Sequence, residues 1–250
     1  MLFHRIFIRR PQSLLLAFAL ACVTPVLSAQ TAALSPGPAT NNQPCCGPIT
    51  AEGRRLLTVL DSMDVEHKWL AHEHVNWLSG EADRPANYTG LDRATHCSAF
   101  AAAVGYRLGV YILRPPEHPQ QLLASAQGEW LAADAGRAAG WTLISDAVHA
   151  QHLANMGAFV VVDYVSPDPH TPGHIAIIRP SEKTAAELAQ DGPDVTQAGA
   201  TNRTRWVAAH SFDHHPGAWP NNVRYFSHPV QWSSVPAQSS PAQVSAPVQP

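Results

Sequence analysis

The chain contains 250 residues with a formal net charge of −3, and 14% of its residues are charged. This length suits one folded domain with additional segments at its ends. Binding to nucleic acid requires a clustered basic surface, which this charge balance does not provide. The composition therefore excludes a nucleic-acid-binding protein and predicts a globular domain of ordinary apolar content.

The first 29 residues have the three parts of a secretory signal peptide. A basic start is followed by an apolar run over residues 13–26, and Ser28 and Ala29 offer the small residues needed for cleavage. The apolar run is shorter than the ~20 residues of a membrane-spanning helix. We therefore expect a secreted or periplasmic protein with no membrane attachment after cleavage, and a lipid anchor at Cys22 is the alternative.

Removal of the signal peptide leaves Cys45, Cys46 and Cys97. An odd number of cysteines in an oxidising compartment leaves one thiol without a partner. Cys45 and Cys46 are adjacent, and a disulfide between neighbours is strained but feasible. The sequence does not decide between that bridge and one that involves Cys97, which would end the candidacy of Cys97 as a reactive thiol.

Composition divides the rest of the chain into three parts. Residues 30–48 are rich in Pro, Ala, Thr and Asn, which predicts a linker. Residues 233–250 consist of Ser, Pro, Ala, Gln and Val, which predicts a disordered tail. One folded domain is expected between them, over residues 49–232.

Apolar periodicity predicts helices in the first half of this domain. Thr50 is the expected N-cap of the first helix, and Thr95 that of a central helix in which Phe100, Val104 and Leu108 form one apolar stripe. The other predicted helices cover residues 65–78, 120–133 and 146–156, the last with Ser145 as its N-cap.

Runs of β-branched residues predict strands in the second half. They cover residues 158–164, 174–178 and 194–197, with 206–212 and 223–226 completing an antiparallel sheet and a helical insertion at 181–190. Because helices precede strands, the predicted fold class is α+β with segregated layers, not alternating βαβ units.

Cys97 is the candidate nucleophile because it lies at the start of the central predicted helix. A thiol attacks as its thiolate, and the unpaired N–H groups and dipole of a helix N-terminus lower a thiol pKa. His174 opens a predicted strand after a glycine-bearing loop, so it is the candidate base of a thiolate–imidazolium pair. Gln197 ends the next predicted strand, where it can orient the imidazole through its other nitrogen.

These residues also have ordinary structural interpretations. A cysteine near the apolar face of a helix is commonly a small core residue. The alternative enzyme class is a zinc-dependent amidase. Because a zinc signature such as His-Glu-x-x-His is missing from the sequence, no metal or other cofactor is expected. The histidines that would serve it are His67, His72 and His74, beside Glu73, and His210, His214 and His215.

The motifs around these residues resemble the papain-like amidases of the NlpC/P60 and CHAP type. Residues 96–100, His-Cys-Ser-Ala-Phe, are similar to that family's Asp-Cys-Ser-Gly-Phe, and residues 173–177, Gly-His-Ile-Ala-Ile, to its Gly-His-Val-Gly-Ile. Residues 157–162 are similar to the strand before the histidine. The resemblance covers roughly residues 88–202. It implies a papain-like fold whose nucleophile helix packs on an antiparallel sheet.

The resemblance also implies roles for individual residues. Cys97 would be the nucleophile, His174 the general base and Gln197 the group that orients the imidazole. Tyr88, Ser98 and His96 are nearby candidates for contacting the oxyanion or the substrate. His96 replaces an acidic residue of the family and Ala99 a glycine, which leaves the pocket shape and the substrate open.

The sequence therefore predicts an exported cysteine amidase or peptidase whose partner is cell-wall peptide. One alternative is a non-catalytic module on the same fold that binds cell wall or glycan, which should be indifferent to Cys97→Ala. The other is the zinc-dependent amidase, which a chelator should inactivate.

Overall fold

The computed structural model describes residues 44–236 of the chain. The predicted signal peptide, residues 30–43 of the predicted linker and residues 237–250 of the predicted tail lie outside the described residues. Within the described range, helices surround an antiparallel sheet, which confirms the α+β class.

The elements are as follows. The helices are α1 (Ala51–Ser62), α2 (Cys97–Arg107), α3 (Leu123–Ala132), α4 (Asp134–Ala138), α5 (Ala147–Asn155), α6 (Ala185–Asp191) and α7 (Ala208–Ser211). The strands are β1 (Thr142–Ile144), β2 (Phe159–Tyr164), β3 (His174–Ile178), β4 (Asp194–Gln197), β5 (Arg203–Val207) and β6 (Arg224–His228). Neighbouring strands are antiparallel in the order β1-β6-β2-β3-β4-β5.

The central strands β2 and β3 are buried along their whole length. Side chains alternate between the two faces of a sheet. On one face Val161 and Ile175 pack with residues of α1 and α2, and on the other Val162 and Ala176 pack with residues of α5. Helices therefore cover both faces, which explains why these strands are continuous apolar runs instead of alternating ones.

α2 forms the centre of the first core. Every residue from Cys97 to Gly105 is buried, although the sequence pattern predicted only one apolar stripe. Small side chains make this possible: a Cβ on Gly105 would lie 2.8 Å from the carbonyl oxygen of Val110 and 3.3 Å from the ring of Phe159. The predicted packing of the cysteine-bearing helix on the sheet is thus present.

The predicted helix over residues 65–78 is wrong. The segment is a series of turns, with Trp69 and His72 in the left-handed region at φ values of 52° and 70°. The side-chain amide of Asn202 donates to the carbonyl oxygens of Val65 (2.8 Å), Lys68 (2.8 Å) and Trp69 (3.2 Å). These carbonyl oxygens would accept hydrogen bonds within a helix, but here they accept them from Asn202. The apolar residues of the segment are therefore buried as part of a loop.

Two of the three predicted N-caps are displaced by one residue. Thr50 caps α1 as predicted, accepting a hydrogen bond from the N–H of Gly53 at 3.1 Å. The N-cap of α2 is His96, not Thr95, so Cys97 is the first helical residue. The N-cap of α5 is Asp146, not Ser145, because the Asp146 carboxylate accepts from the N–H of His149 at 2.8 Å.

The predicted strand over residues 206–212 is also wrong in part. The chain is extended only to Val207, where β5 ends, and residues 208–211 form the short helix α7. Strand β1 and helix α4 were not predicted at all. The helical insertion begins later than expected, at Ala185, after a capping box formed by Thr184 and Glu187.

Both ends of the described chain contact the domain. The N–H of Cys45 donates to the carbonyl of Lys183 at 3.0 Å. Near the other end Val235 is buried and its carbonyl accepts from Arg55 at 3.1 Å. Among residues 44–236, none of the helices has the length and apolar character needed to cross a membrane.

Candidate active site around Cys97 and His174

The cysteines of the described chain divide into one bridge and one free thiol. Cys45 and Cys46 form a disulfide with each other. Cys97 is therefore left as a free, buried cysteine. Of the pairings that the sequence left open, the structure contains the one that keeps Cys97 available for chemistry.

Cys97 lies at the N-terminus of α2. The N–H of Phe100 bonds to the carbonyl of His96 at 2.9 Å, so the N–H groups of Cys97, Ser98 and Ala99 have no acceptor within the helix. Such groups favour negative charge on a nearby atom. The end of the helix therefore supplies donors for an anion at this position.

The thiol itself is neutral in this structure. Burial raises the pKa of the Cys97 thiol from its ordinary value of 9.0 to about 11. Hydrogen bonds from the backbone N–H groups of Ile175 and Ser98 oppose this rise in pKa, and the carboxylate of Asp163 adds to it. Desolvation is the largest of these effects, so the helix N-terminus does not by itself produce a thiolate.

A cavity of about 370 Å³ opens beside Cys97. Its walls come from the loop before α2, from the start of α2, from the segment before α3, and from His170 and Pro172 in the loop before β3. Cys97 is only 5% exposed, so it is a buried part of the cavity wall.

His174 is held by a hydrogen-bond network whose geometry fixes its tautomer. The Gln197 side-chain N–H donates to the carbonyl of Thr201 at 2.8 Å, so Oε1 of Gln197 faces His174. This oxygen lies 2.9 Å from Nε2 of His174 and also accepts from the hydroxyl of Ser211. An amide oxygen can only accept, so Nε2 carries the proton and Nδ1 is the basic nitrogen of the neutral ring.

The surroundings of His174 keep the ring neutral. Its ring packs edge-on against Phe212, with centroids 5.1 Å apart, and stacks on His215 at 5.2 Å. Burial lowers the pKa of His174 to about 4; the hydrogen bond to Gln197 opposes this, and His215 and His214 add to it. The imidazole is therefore an uncharged base at neutral pH.

Cys97 and His174 lie on adjoining elements, but alternation along β3 places the His174 ring, with Phe212, on the sheet face opposite the side chain of Ile175. The thiol lies at the backbone N–H of Ile175, the residue that follows His174 on β3. Within residues 44–236, no hydrogen bond joins the thiol to the imidazole, and Nδ1 of His174 makes none with any group. The structure therefore brings His174 and Gln197 together, and among residues 44–236 it leaves Cys97 as a neutral thiol with no hydrogen bond to either side chain.

The three lower-ranked candidates occupy different places. His96 and Ser98 line the Cys97 cavity. His96 is buried with its pKa lowered by desolvation, and its Nε2 donates to the carbonyl of Glu73 at 2.9 Å. Tyr88 lines a second cavity, where its ring lies 5.3 Å from that of His74, and its hydroxyl is directed at Gly90. Tyr88 therefore does not line the cavity beside Cys97.

Two buried polar residues near the site were missed by sequence reasoning. Ser211 bonds to Gln197 and lies 3.2 Å from Nε2 of His174. The side chain of Gln127 on α3 donates to the carbonyls of Ser98 (3.0 Å) and Leu113 (2.8 Å), which ties α3 to the start of α2. Neither lies in a recognisable motif, and no local signal would have found them.

The histidine clusters do not form a metal site in the described part of the chain. Among residues 44–236 there is no group of three or more His, Cys, Asp or Glu side chains placed to hold a metal ion. His74 instead pairs with Asp83, His67 with Asp64 and His210 with Asp213.

No protein-family model matches the chain, and none of the curated proteins matches it.

Proposed function

We propose that this protein is a cysteine hydrolase that cleaves amide bonds, with Cys97 as nucleophile, His174 as general base and Gln197 as the residue that orients the imidazole. One observation supports it above the others. Cys97, a free cysteine at a helix N-terminus, belongs to the wall of a cavity, and the adjoining strand β3 begins with a histidine whose basic Nδ1 is not bonded to any described group. The papain-like assignment, the export and the choice of peptidoglycan peptide as substrate rest on the resemblance and the signal peptide.

The neutral state of both groups determines how the reaction would begin. Nδ1 of His174 takes the thiol proton while the sulfur attacks the amide carbonyl carbon. Because no bond joins the two groups in the free protein, substrate binding must bring them into contact or place a water between them. The proton therefore moves during attack, not before it.

The rest of the cycle uses the helix terminus and the same histidine. The N–H of Cys97 donates to the oxyanion of the tetrahedral intermediate, a contact that typically contributes about 3 kcal/mol. The imidazolium then protonates the leaving amine as the C–N bond breaks. Water, deprotonated by His174, attacks the acyl-enzyme and releases a carboxylic acid and the thiol.

The test is digestion of purified peptidoglycan fragments by the chain without its signal peptide, followed by mass spectrometry of the products. We expect new amine and carboxyl termini with the unmodified sequence, and none with Cys97→Ala or His174→Ala. His149→Ala, an exposed histidine on α5, is the matched control and should keep full activity. Product formation that survives Cys97→Ala would exclude the proposed nucleophile.

A non-catalytic module that binds cell wall or glycan is the second candidate. The neutral thiol and the missing bond between Cys97 and His174 favour it. Sedimentation with insoluble peptidoglycan separates the two candidates. A binder sediments equally with and without Cys97→Ala and releases no products, whereas the hydrolase releases soluble fragments only when Cys97 is present.

A further inference from the structure

Aromatic side chains are gathered on the surface near the C-terminal ends of α2 and α3. The ring of Trp77 packs edge-on against that of Tyr106, with centroids 6.0 Å apart. Tyr111 packs in the same way against Trp130, at 5.6 Å. We call these four rings, together with Arg114, the aromatic surface. None of its members lines the cavity beside Cys97.

The four rings are anchored on one side and open on the other. Trp77 and Trp130 are half-buried and pack against the core around α2, whereas Tyr106 and Tyr111 are 52% and 37% exposed. A group of large apolar side chains left open to solvent marks a contact surface, unlike apolar residues that are scattered singly. Because rings already held by the core lose little conformational freedom on binding, this arrangement favours recognition of a ligand.

Arg114 joins the two aromatic pairs. Its guanidinium carbon lies 5.4 Å from the ring centroid of Tyr106, 5.9 Å from that of Trp77 and 5.1 Å from that of Tyr111. At these distances the rings attract the cation through their negative faces. In the part of the chain that the structure describes, this guanidinium forms no ion pair and no hydrogen bond with a protein oxygen. The cation is therefore held in place with its N–H donors unused.

Acidic side chains do not neutralise the aromatic surface. Arg107, the exposed neighbour of Tyr106, also forms no ion pair among residues 44–236. Glu117 and Glu129 are the carboxylates nearest along the chain to Arg114 and Trp130, and both are exposed and pair with neither arginine. The aromatic surface therefore carries local positive charge on a chain whose formal net charge is −3, so it complements an anionic ligand.

The polar edges of the rings are free as well. Within the described range, the indole N–H groups and the phenolic hydroxyls of the aromatic surface donate to no protein acceptor. By contrast, the buried indoles of Trp69 and Trp141 donate to the carbonyls of Trp77 (2.9 Å) and Tyr111 (2.8 Å), which fixes the backbone beneath the rings. The aromatic surface thus offers apolar ring faces, unpaired hydrogen-bond donors and a cation.

A carbohydrate with carboxylate groups matches these three properties. A sugar ring has C–H faces that stack on aromatic rings and a rim of oxygens that accept hydrogen bonds. A carboxylate pairs with a guanidinium through two parallel N–H···O bonds. An acidic peptide shares the charge, but common modes of peptide binding use an open strand edge or an apolar groove. No strand of residues 44–236 contributes to the aromatic surface, so strand addition is not available there.

We propose that the aromatic surface binds a polysaccharide that carries carboxylate groups, with its rings stacked on the sugars and Arg114 paired with a carboxylate. This binding site is additional to the proposed hydrolase function and does not depend on Cys97. It holds the protein on an acidic polysaccharide, whichever bond the Cys97 site cleaves.

The test uses tetragalacturonate, whose sugar rings each carry a carboxylate, and its methyl ester, which has the same rings without the charge. Each is titrated into the isotope-labelled chain, and the indole N–H resonances are followed by NMR after assignment with Trp77→Phe and Trp130→Phe. We expect the resonances of Trp77 and Trp130 to shift and those of the buried Trp69 and Trp141 to stay. The acid should bind about tenfold more tightly than the ester, because only the acid forms a charge-assisted pair with Arg114.

Substitutions inside and outside the aromatic surface locate the site. Arg114→Gln should weaken binding of the acid about tenfold and leave binding of the ester unchanged. Tyr106→Ala should weaken binding of both about fivefold, since this exposed ring stacks on the sugar whatever the charge of the ligand. The matched controls are Arg54→Gln, an exposed cation on α1, and Met156→Ala, an apolar side chain that is 49% exposed after α5. Both controls should bind as the unmodified chain does.

A hexaglutamate peptide in the same titration distinguishes two classes of partner. If the peptide binds as tightly as tetragalacturonate, the aromatic surface recognises acidic protein segments, and the polysaccharide proposal is overturned. Equal affinities for the acid and the ester, an unchanged affinity in Arg114→Gln, or unshifted indole resonances of Trp77 and Trp130 would overturn it too. Hydrolysis at Cys97 does not enter any of these measurements.

Discussion

Cys97 should react slowly with iodoacetamide in the free protein, because burial raises the pKa of its thiol. Iodoacetamide reacts with the thiolate, so its rate follows the thiolate fraction. The rise in the pKa of Cys97 from 9.0 to about 11 lowers that fraction about 100-fold at pH 8. We therefore expect a rate about 100-fold below that of the same thiol in the chain unfolded in guanidinium, and a rate that is still rising with pH at pH 10.

His174→Ala tests whether the imidazole contributes to this thiol. A neutral imidazole does not stabilise a thiolate, so the alkylation rate at pH 8 should change by less than about twofold. The assay is the pseudo-first-order rate of Cys97 labelling across pH 5–11, with mass spectrometry to confirm the labelled residue. An inflection below pH 7 that disappears in His174→Ala would mean that an ion pair exists in the free protein, and the neutral-pair reasoning would be wrong.

Four further predictions follow from the hydrogen bonds and buried charges. If the proposed hydrolysis is observed, its kcat/KM should fall only below about pH 5, as Nδ1 of His174 becomes protonated near its pKa of about 4; a fall centred at pH 6.5 would contradict the burial of this ring. Gln197→Leu removes the acceptor of His174, so the imidazole should lose its fixed Nε2–H tautomer, as ¹⁵N chemical shifts report, and the free energy of unfolding should drop by about 1–3 kcal/mol. Asn202→Ala should lower the free energy of unfolding in urea by about 2 kcal/mol or more, because three backbone carbonyls lose their donor; an unchanged midpoint would show that water replaces the amide. Burial raises the pKa of Asp163 to about 7, above the value of about 3.9 in an unfolded chain, so the folded state holds an extra proton between these values and loses stability as the pH rises through them; Asp163→Asn should remove roughly 4 kcal/mol of this loss between pH 4 and 8, measured as the difference from the unmodified chain.

The parts of the fold that were predicted are those specified by neighbouring residues. β2 and β3 are continuous β-branched runs, and α1 combines an apolar period with the cap at Thr50, so local patterns were sufficient. The segment 65–78 has an equally good apolar period. It is not a helix because Asn202, 137 residues after Val65, binds its carbonyl groups.

The residues of the candidate site also differ in how well local sequence patterns predicted them. Cys97, His174 and Gln197 were chosen from short motifs, and the structure joins the last two directly. Ser211, 37 residues from His174 along the chain, completes that network from a segment predicted as strand. The charge state was the least predictable property. A helix N-terminus predicted a lowered thiol pKa, but burial depends on the packing of the whole domain, and it outweighs the N-terminal effect.

The high thiol pKa has a consequence if the chain is exported, as we propose. In an oxidising compartment a thiolate exchanges with disulfides and is oxidised, whereas the protonated thiol is largely inert. At pH 7 a pKa of about 11 leaves only about 1 in 10,000 Cys97 side chains ionised, and the disulfide between Cys45 and Cys46 removes the other cysteines of the described chain as partners. If Cys97 is the proposed nucleophile, its protonated state would protect it from oxidation and disulfide exchange until a substrate enters the cavity.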